Sequence, residues 1–290
     1  MTREARERDV QCAIAQAASV IGDWWSLLIV RETARGHRRF EELLRELGIS
    51  RKILTERLRH LVGHGVLERR PYQSGPVRHE YALTDVGWAL APVLISMQDW
   101  GDRWLAGDGT LTGIAMPGTA EARRVHALVG TPIPAPLQLE SSTGLVDVVD
   151  GPTVLFTYPA TGVPSPLPPG WSEVPGAKGC TLENRLFKEM EPAFTGDGIT
   201  IRGVSTQRPD EQAVFAEMEG IPFPLLSDTE LRLAAALRLP TFRSGQLVRL
   251  KRSILVVDEL RVVRHAIFPV LDIPAGVTEA HELARALTPS

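Results

Sequence analysis

The feature that most constrains this chain is a change of period along it. Up to about residue 106 the apolar residues recur at helical spacing, with one extended interruption; beyond residue 120, β-like runs alternate with helical ones. Between the two, residues 106–120 read Ala-Gly-Asp-Gly-Thr-Leu-Thr-Gly-Ile-Ala-Met-Pro-Gly-Thr-Ala, with no period at all. Such different patterns bury their apolar faces in different ways, and 290 residues are enough for two cores. The expected organisation is an α+β multidomain chain: a mainly helical domain over residues 1–106, a linker over 107–120 and an α/β domain over 121–290.

In the first domain the spacing predicts helices over Val10 to Val20 and Trp24 to Ala34, the second stopped by Gly36, then a short one over Arg39 to Leu47 ended by Gly48. Ser50 is a cap for a helix over Arg51 to Gly63, in which Leu54, Leu58 and Leu61 form the buried stripe. Its other face carries Arg51, Lys52, Thr55, Arg59 and His60. Two extended runs follow, Val66 to Arg70 and Arg78 to Leu83, joined by Pro-Tyr-Gln-Ser-Gly-Pro, which suits a flexible turn. Thr84 then caps a long helix through about Leu105, with Leu90, Leu94, Met97 and Trp104 on its apolar side. Helices, turn, helix, hairpin and helix in that order predict a winged helix-turn-helix whose third helix enters the major groove.

Charge supports that placement. Residues 1–105 hold 16 Lys and Arg against 14 Asp and Glu, net +2, whereas the remainder holds 16 against 21, net −5. Within 35–78 the count is 11 against 5, net +6, so the positive charge coincides with the expected recognition helix and hairpin. Arg51, Lys52, Thr55 and Arg59 are candidates for base and phosphate contacts, and Arg69, Arg70 and Arg78 on the wing for phosphate and minor-groove contacts. Basic faces that are merely solvated would look similar one at a time; here they fall together on the elements that would meet DNA.

Composition excludes other classes. Two cysteines, Cys12 and Cys180, cannot make a disulfide scaffold or a multi-cysteine zinc site, and no HExxH or C-x2-C spacing occurs, so no metal and no cofactor are expected. No apolar run reaches the roughly 18 residues of a membrane span. The first nine residues mix both charges without the apolar stretch of a signal peptide, which leads us to expect a cytoplasmic protein.

In the second domain strands are predicted over Val154 to Tyr158, Ile199 to Ser205, Ser253 to Asp258 and Arg261 to Phe268. Helices are predicted over Thr181 to Met190, Glu211 to Met218, Thr229 to Leu237 and Thr278 to Ala286. The alternation implies an α/β sheet with an antiparallel hairpin at one edge. Gly179 delivers Cys180 to the first turn of a helix, where the dipole and free N–H groups favour thiolate. Arg252, far along the chain, is a candidate cationic partner.

Four segments, Val-Ile-Gly-Asp-Trp-Trp-Ser-Leu-Leu-Ile-Val-Arg-Glu (20–32), Arg-Arg-Phe-Glu-Glu-Leu (38–43), Gly-Ile-Ser-Arg-Lys-Ile-Leu-Thr-Glu-Arg-Leu (48–58) and Glu-Tyr-Ala-Leu-Thr-Asp-Val-Gly (80–87), resemble in order the HxlR family of bacterial winged-helix regulators. The resemblance implies a homodimer on a two-fold-related operator. It also implies a redox-sensing role for Cys12, which stands where several members carry a sensor cysteine, although Ala13 replaces their usual proline.

Val-Leu-Phe-Thr-Tyr-Pro (154–159), Gly-Cys-Thr-Leu-Glu (179–183), Gly-Val-Ser-Thr (203–206), Pro-Phe-Pro-Leu-Leu-Ser-Asp (222–228) and Arg-Ser-Ile-Leu-Val-Val-Asp (252–258) resemble the peroxiredoxin superfamily, nearest its bacterioferritin-comigratory (Q) type. That implies a thioredoxin fold, with Cys180 as the peroxidatic cysteine and Arg252 as the strand arginine beside it. Three departures stand out. Ala177 replaces the hydroxyl residue expected three positions before the cysteine, residues 162–179 form an insertion rich in Pro and Gly, and Arg185 stands where a resolving cysteine often lies. Thr161 supplies the missing hydroxyl if the insertion loops out.

The expected function is a redox-responsive, DNA-binding transcription regulator that senses peroxide or a related oxidant through Cys180. The alternatives are a one-cysteine thiol peroxidase tethered to DNA and a regulator with an inactive redoxin scaffold. Expected partners are operator DNA, a second copy of the chain, the oxidant, and a small-thiol or thioredoxin-type reductant, with no membrane. Cys12 is a further candidate for resolving oxidised Cys180.

Overall fold

A computed structural model describes residues 12–287. The chain forms two compact units, the first through Leu94 and the second from Ile95. The predicted first helix begins at Val10, which lies outside the described residues.

In the first unit, α1 (Ala13–Ile21), α2 (Trp24–Ala34), α3 (Phe40–Leu47) and α4 (Arg51–Gly63) precede a two-stranded hairpin of β1 (Leu67–Ser74) and β2 (Val77–Leu83). Local caps set the helix ends. Asp23 accepts from the N–H groups of Trp25 and Ser26, Ser50 accepts from that of Ile53, and Gly48 closes α3 in the left-handed region. Leu54, Leu58 and Leu61 are all buried, packed with Ile29, Leu43, Val66 and Leu83; at about 1.5–3 kcal/mol per buried side chain this stripe is what fixes α4 on the unit.

The hairpin is longer than its sequence suggested. Strand pairing runs through Pro71 to Ser74, with a register shift between Pro71 and Gln73, so only Gly75 and Pro76 remain as the turn. A two-stranded ribbon leaves outer edges free, so Pro71 can sit in a strand without costing a ladder bond.

The long helix predicted from Thr84 is instead two, α5 (Asp85–Trp88) and α6 (Ala91–Trp104). Pro92 has no N–H to give the preceding turn, and its ring would clash with the Trp88 carbonyl in a continuous helix. The unit boundary falls inside α6.

The second unit is built on a seven-stranded sheet in the order β11-β10-β5-β6-β7-β3-β4. Its centre, β5 (Thr153–Thr157), β6 (Thr200–Ser205) and β7 (Leu225–Ser227), is parallel. On one side β10 (Ser253–Val257) and β11 (Val263–Ile267) are antiparallel; on the other are β3 (Gln138–Ser141) and β4 (Gly144–Asp147). Alternate residues Val154, Phe156, Ile254 and Val256 join Phe187, Phe194, Phe215, Val277 and Ala280 from α8 (Cys180–Gly196), α9 (Pro209–Glu219) and α11 (Ile273–Arg285) in the main core. A short α7 (Ala120–His126), α10 (Arg232–Leu237) and a separate hairpin of β8 (Thr241–Ser244) and β9 (Leu247–Leu250) complete the unit. This is the α/β thioredoxin-type arrangement expected for residues 121–290, with the β3–β4 and β8–β9 hairpins added to the predicted elements. Among the described residues no single helix is long and apolar enough to cross a membrane.

Residues 107–120 are not a free connector. The Gly113 N–H donates to the Pro175 carbonyl at 2.8 Å, Ala115 is buried, and Leu111 packs on Ala160, Trp171, Ala177 and Phe242. Within the same unit the second half of α6 is tied down as well. Gln98 donates to the Leu239 carbonyl at 2.8 Å, and Arg124 grips Asp102 at 2.6 and 2.8 Å.

Candidate functional site

Cys180 is the first residue of α8, and Gly179 before it holds φ +102°. Glycine is required there twice over. A side chain would be strained at that φ, and its Cβ would lie 2.5 Å from Ile273 Cδ1. The tight approach turns the thiol inward, where it is 3% exposed and directs Sγ toward the Ala177 carbonyl at 3.7 Å.

Arg252 reaches the thiol because β10 pairs with β5 in the register Ser253 to Thr157, a pairing reinforced by the Thr157 and Ser253 hydroxyls at 2.8 Å. Its Nη2 donates to Cys180 Sγ at 3.4 Å and its Nε to Glu183 Oε2 at 2.8 Å. The remaining donors hold the loop before the cysteine, through the Gly176 carbonyl at 3.3 Å and the Lys178 carbonyl at 3.2 Å. One guanidinium therefore clamps thiol, helix and loop together.

The electrostatic balance differs from the sequence expectation. Burial pushes the Cys180 thiol up, to about 11, against the pull of Arg252, while the neighbouring Glu183 carboxylate adds to the rise. Position at a helix start favours thiolate, but complete desolvation and a carboxylate on the same guanidinium outweigh it. Burial also raises the Glu183 carboxyl, with Arg252 opposing; its Oε1 has no hydrogen-bond partner among the described residues.

Thr161 is placed apart from this clamp. Its hydroxyl donates to the Val163 carbonyl at 3.1 Å and lies 3.2 Å from Gln207 Oε1, and its N–H donates to the same Oε1 at 2.8 Å. The insertion does loop out, with Ala160 and Ala177 meeting in one apolar cluster with Trp171 and Phe242. Even so, the hydroxyl serves the loop, and no hydrogen bond joins it to Cys180 among the described residues.

On the first unit, Arg51, Lys52, Thr55, Arg59, Arg69, Arg70 and Arg78 are all exposed. Arg51 is paired with Glu41 at 2.9 Å, Arg70 with Glu68, and Arg69 lies 2.9 Å from His79. The Thr55 hydroxyl turns back to the Arg51 carbonyl at 2.8 Å. Lys52, Arg59 and Arg78 make no ion pair among the described residues. Arg39, not picked out from sequence, stacks its guanidinium 4.4 Å from the Tyr72 ring on the wing. His60 and His64 are one helical turn apart, but the first ring bonds the Val20 carbonyl and the second the His60 carbonyl, so each has a protein partner. Cys12 is exposed at the N-cap of α1, and both cysteines are free thiols.

The family model for HxlR-like helix-turn-helix proteins matches residues 20–108, and that of the AhpC/TSA family matches residues 174–266. An uncharacterised HTH-type transcriptional regulator of Bacillus subtilis is 38% identical over 91 residues, 31% of this chain and 84% of that protein. A Mycobacterium tuberculosis protein named as a peroxiredoxin is 32% identical over 138 residues, 48% of this chain and 80% of that protein. The chain belongs to both families.

An uncharacterised HTH-type transcriptional regulator of Mycobacterium tuberculosis is 45% identical over 93 residues, 32% of this chain; the chain spans 59% of that regulator's length. Among solved structures, the peroxidoxin BcpB from Mycobacterium tuberculosis is 30% identical, with 55% of this chain and 97% of that chain covered at a TM-score of 0.46. Peroxiredoxin Q from Xanthomonas campestris is 22% identical, with 56% and 99% covered at 0.45.

Within the AhpC/TSA part, Ala177 is wholly buried and offers Cys180 a carbonyl in place of a hydroxyl. Arg185 is committed to Glu219 through two bonds of 2.6 and 2.9 Å on the outer face of α8. Within the HxlR-like part, the candidate residues Arg51, Lys52, Thr55 and Arg59 of α4 and Arg69, Arg70 and Arg78 of the wing share one property, exposure, whereas Arg57 of α4 is half-buried and paired with Asp23 at 3.4 Å. The side chains needed to hold α4 lie on its opposite face.

Proposed function

We propose that this chain is a redox-responsive transcription regulator: the HxlR-like unit binds operator DNA through α4 and the wing, and the AhpC/TSA unit senses peroxide through Cys180. The chemistry is a displacement. The thiolate sulfur attacks the terminal peroxide oxygen, an S–O bond forms as the O–O bond breaks, and the leaving alkoxide or hydroxide takes up a proton. Cys180 is oxidised to sulfenic acid and the peroxide is reduced to alcohol or water.

The observation that carries this reading is the double duty of Arg252. The donor at Cys180 Sγ belongs to the same guanidinium that holds the Gly176 and Lys178 carbonyls, and the loop it holds receives Gly113 at Pro175. A change at the sulfur thus alters the loop on which residues 111–115 are strapped. The strap follows α6, whose first turn belongs to the DNA-binding unit.

Signalling is favoured over steady peroxidase turnover. Arg185 occupies the place of an intrahelical resolving thiol, the hydroxyl before the cysteine is replaced by Ala177, and burial raises the Cys180 thiol. Reduction then falls to a thiol from outside α8. A homodimer belongs to the same reading: Met97, Trp100 and Trp104 form an exposed apolar stripe along α6, the kind of face a second copy would cover. So does a cytoplasmic location, where operator DNA is found.

The proposal is tested by titrating the protein with hydrogen peroxide while following both Cys180 sulfenic acid and operator occupancy. One equivalent of peroxide should oxidise Cys180 and shift occupancy in step. Continuous peroxide consumption with a thiol reductant and unchanged occupancy would favour the tethered peroxidase instead.

A further inference from the structure

The wing carries a tyrosine that the strand ladder does not use. In β1 the register with β2 shifts between Pro71 and Gln73, which pair with His79 and Arg78, so Tyr72 is the extra residue of a β-bulge. An extra residue breaks the alternation of a strand and re-aims its own side chain. Here it sets the Tyr72 ring against Arg39, whose guanidinium carbon lies 4.4 Å from the ring centroid. Arg39 comes from a different element, the N-cap of α3, and the main chain fixes it to the wing. Arg39 forms a β-bridge with Glu80 of β2, and the Tyr81 N–H donates to the Arg38 carbonyl at 2.7 Å. The start of α3 and the wing are thus joined by backbone, and one stacked pair of side chains spans the joint.

The pair differs from the other basic side chains nearby. Arg51 donates to Glu41, Arg70 donates to Glu68, and Arg69 lies against His79. The Arg39 guanidinium makes no hydrogen bond among the described residues. Its ion pair with Glu42 is long, at 3.9 Å, and the other oxygen of that carboxylate accepts from the N–H groups of Arg38 and Arg39. Glu80, across the bridge, is the cross-strand partner of Arg70 and acts on that residue. The Arg39 side chain is 54% exposed. A guanidinium laid over a ring keeps its N–H donors at the edge, in the fork that matches a phosphate, and gives up less freedom when it binds one. Tyr72 therefore holds in advance an exposed cation with free donors, between two elements placed to meet DNA.

We propose that Arg39 binds a phosphate of the DNA backbone and that Tyr72 is its positioning residue. The ligand group is a phosphodiester, so the contact is independent of base sequence. This rests on the DNA-binding reading of the first unit, and it adds a contact where α3 meets the wing to those of α4 and the wing arginines.

The test is binding of the full-length protein to a random-sequence DNA duplex, followed by fluorescence anisotropy between about 50 and 200 mM salt. Arg39→Met should lower affinity roughly 10-fold and reduce the slope of log affinity against log salt by about 1, the change for one phosphate no longer neutralised. Tyr72→Leu removes no charge, yet it should lose several-fold in affinity, while Tyr72→Phe keeps the wild-type value. In an Arg39→Met background Tyr72→Leu should cost nothing further. An unchanged salt slope in Arg39→Met overturns the proposal, even where affinity falls. Equal losses from Tyr72→Leu with and without Arg39 overturn the positioning role, as does a loss in Tyr72→Phe as large as that in Tyr72→Leu, which would assign the effect to the hydroxyl. Failure of the wild type to bind duplex DNA overturns the DNA-binding reading and this proposal with it. A slope reduced by Lys52→Ala but not by Arg39→Met overturns this proposal alone.

Discussion

The Arg252 Nη2 lies 3.4 Å from Cys180 Sγ while the Nε of the same guanidinium is held 2.8 Å from Glu183. The thiol therefore shares its cation with a carboxylate. Replacing Glu183 by Gln should leave Arg252 with one anionic partner and ease formation of the thiolate. The expected outcome is an iodoacetamide reaction at Cys180 at least several-fold faster at pH 7.5, read by mass spectrometry, whereas Arg252→Met should slow it.

The same burial sets a pH dependence. Because the folded thiol is pushed above its ordinary value, the thiolate fraction is small at neutral pH and grows about tenfold per pH unit until it approaches 11. Cys180 alkylation in the folded protein should keep rising between pH 7 and 10. A rate that levels off below pH 8 would show a thiol already ionised.

Glu32 gives the first unit an acid limit. Burial alone would raise its carboxyl, but His37, Arg35 and Arg31 together hold it down at about 2. A carboxyl with a depressed folded value stabilises above its unfolded value of 4.5, and that stability is lost as pH falls from 4.5 toward 2. Glu32→Gln should destabilise the first unit at pH 7 by about 2 kcal/mol and flatten its stability profile over that window, measured by denaturant unfolding at several pH values.

Gly113 tests the strap. A Cβ there would stand 3.1 Å from the Pro175 carbonyl and 3.2 Å from the Ala177 amide, both backbone atoms with little room to yield. Gly113→Val should displace residues 111–115 from the cysteine loop, raise proteolytic cleavage within residues 107–120, and lower the peroxide response of DNA binding while Cys180 is still oxidised.

On the DNA side, Lys52, Arg59 and Arg78 are exposed and free of ion pairs among the described residues. Changing any one to Ala should weaken operator binding and reduce the slope of log affinity against log salt by about 1 for each phosphate no longer neutralised. Arg51→Ala frees Glu41 as well as removing a cation, so its effect on affinity should exceed that of Lys52→Ala.

Long periodic signals carried the fold. Leu54, Leu58 and Leu61 declared the buried side of α4, and by elimination its exposed basic face; Gly179 and Cys180 declared a loop-to-helix junction. The strap was not readable, because Gly113 packs by backbone approach and leaves no apolar period. Composition alone makes the lack of pattern in 107–120 look like freedom. The break in the last helix is marked by Pro92, a signal weaker than the longer period around it. Arg249 lies in a hairpin of two four-residue strands, too short for alternation to register its burial. Thr161 fails to reach the thiol because Gln207, forty-six residues away, accepts from its amide and the Val163 carbonyl takes its hydroxyl proton.

In the proposed function the oxidation state of Cys180 controls DNA binding. It is tested most directly by measuring operator affinity of the wild type and of Cys180→Ser, each reduced and after one equivalent of peroxide. Peroxide should shift the wild-type affinity at least several-fold and leave Cys180→Ser at a single value. Equal affinities for both proteins under both conditions would contradict it.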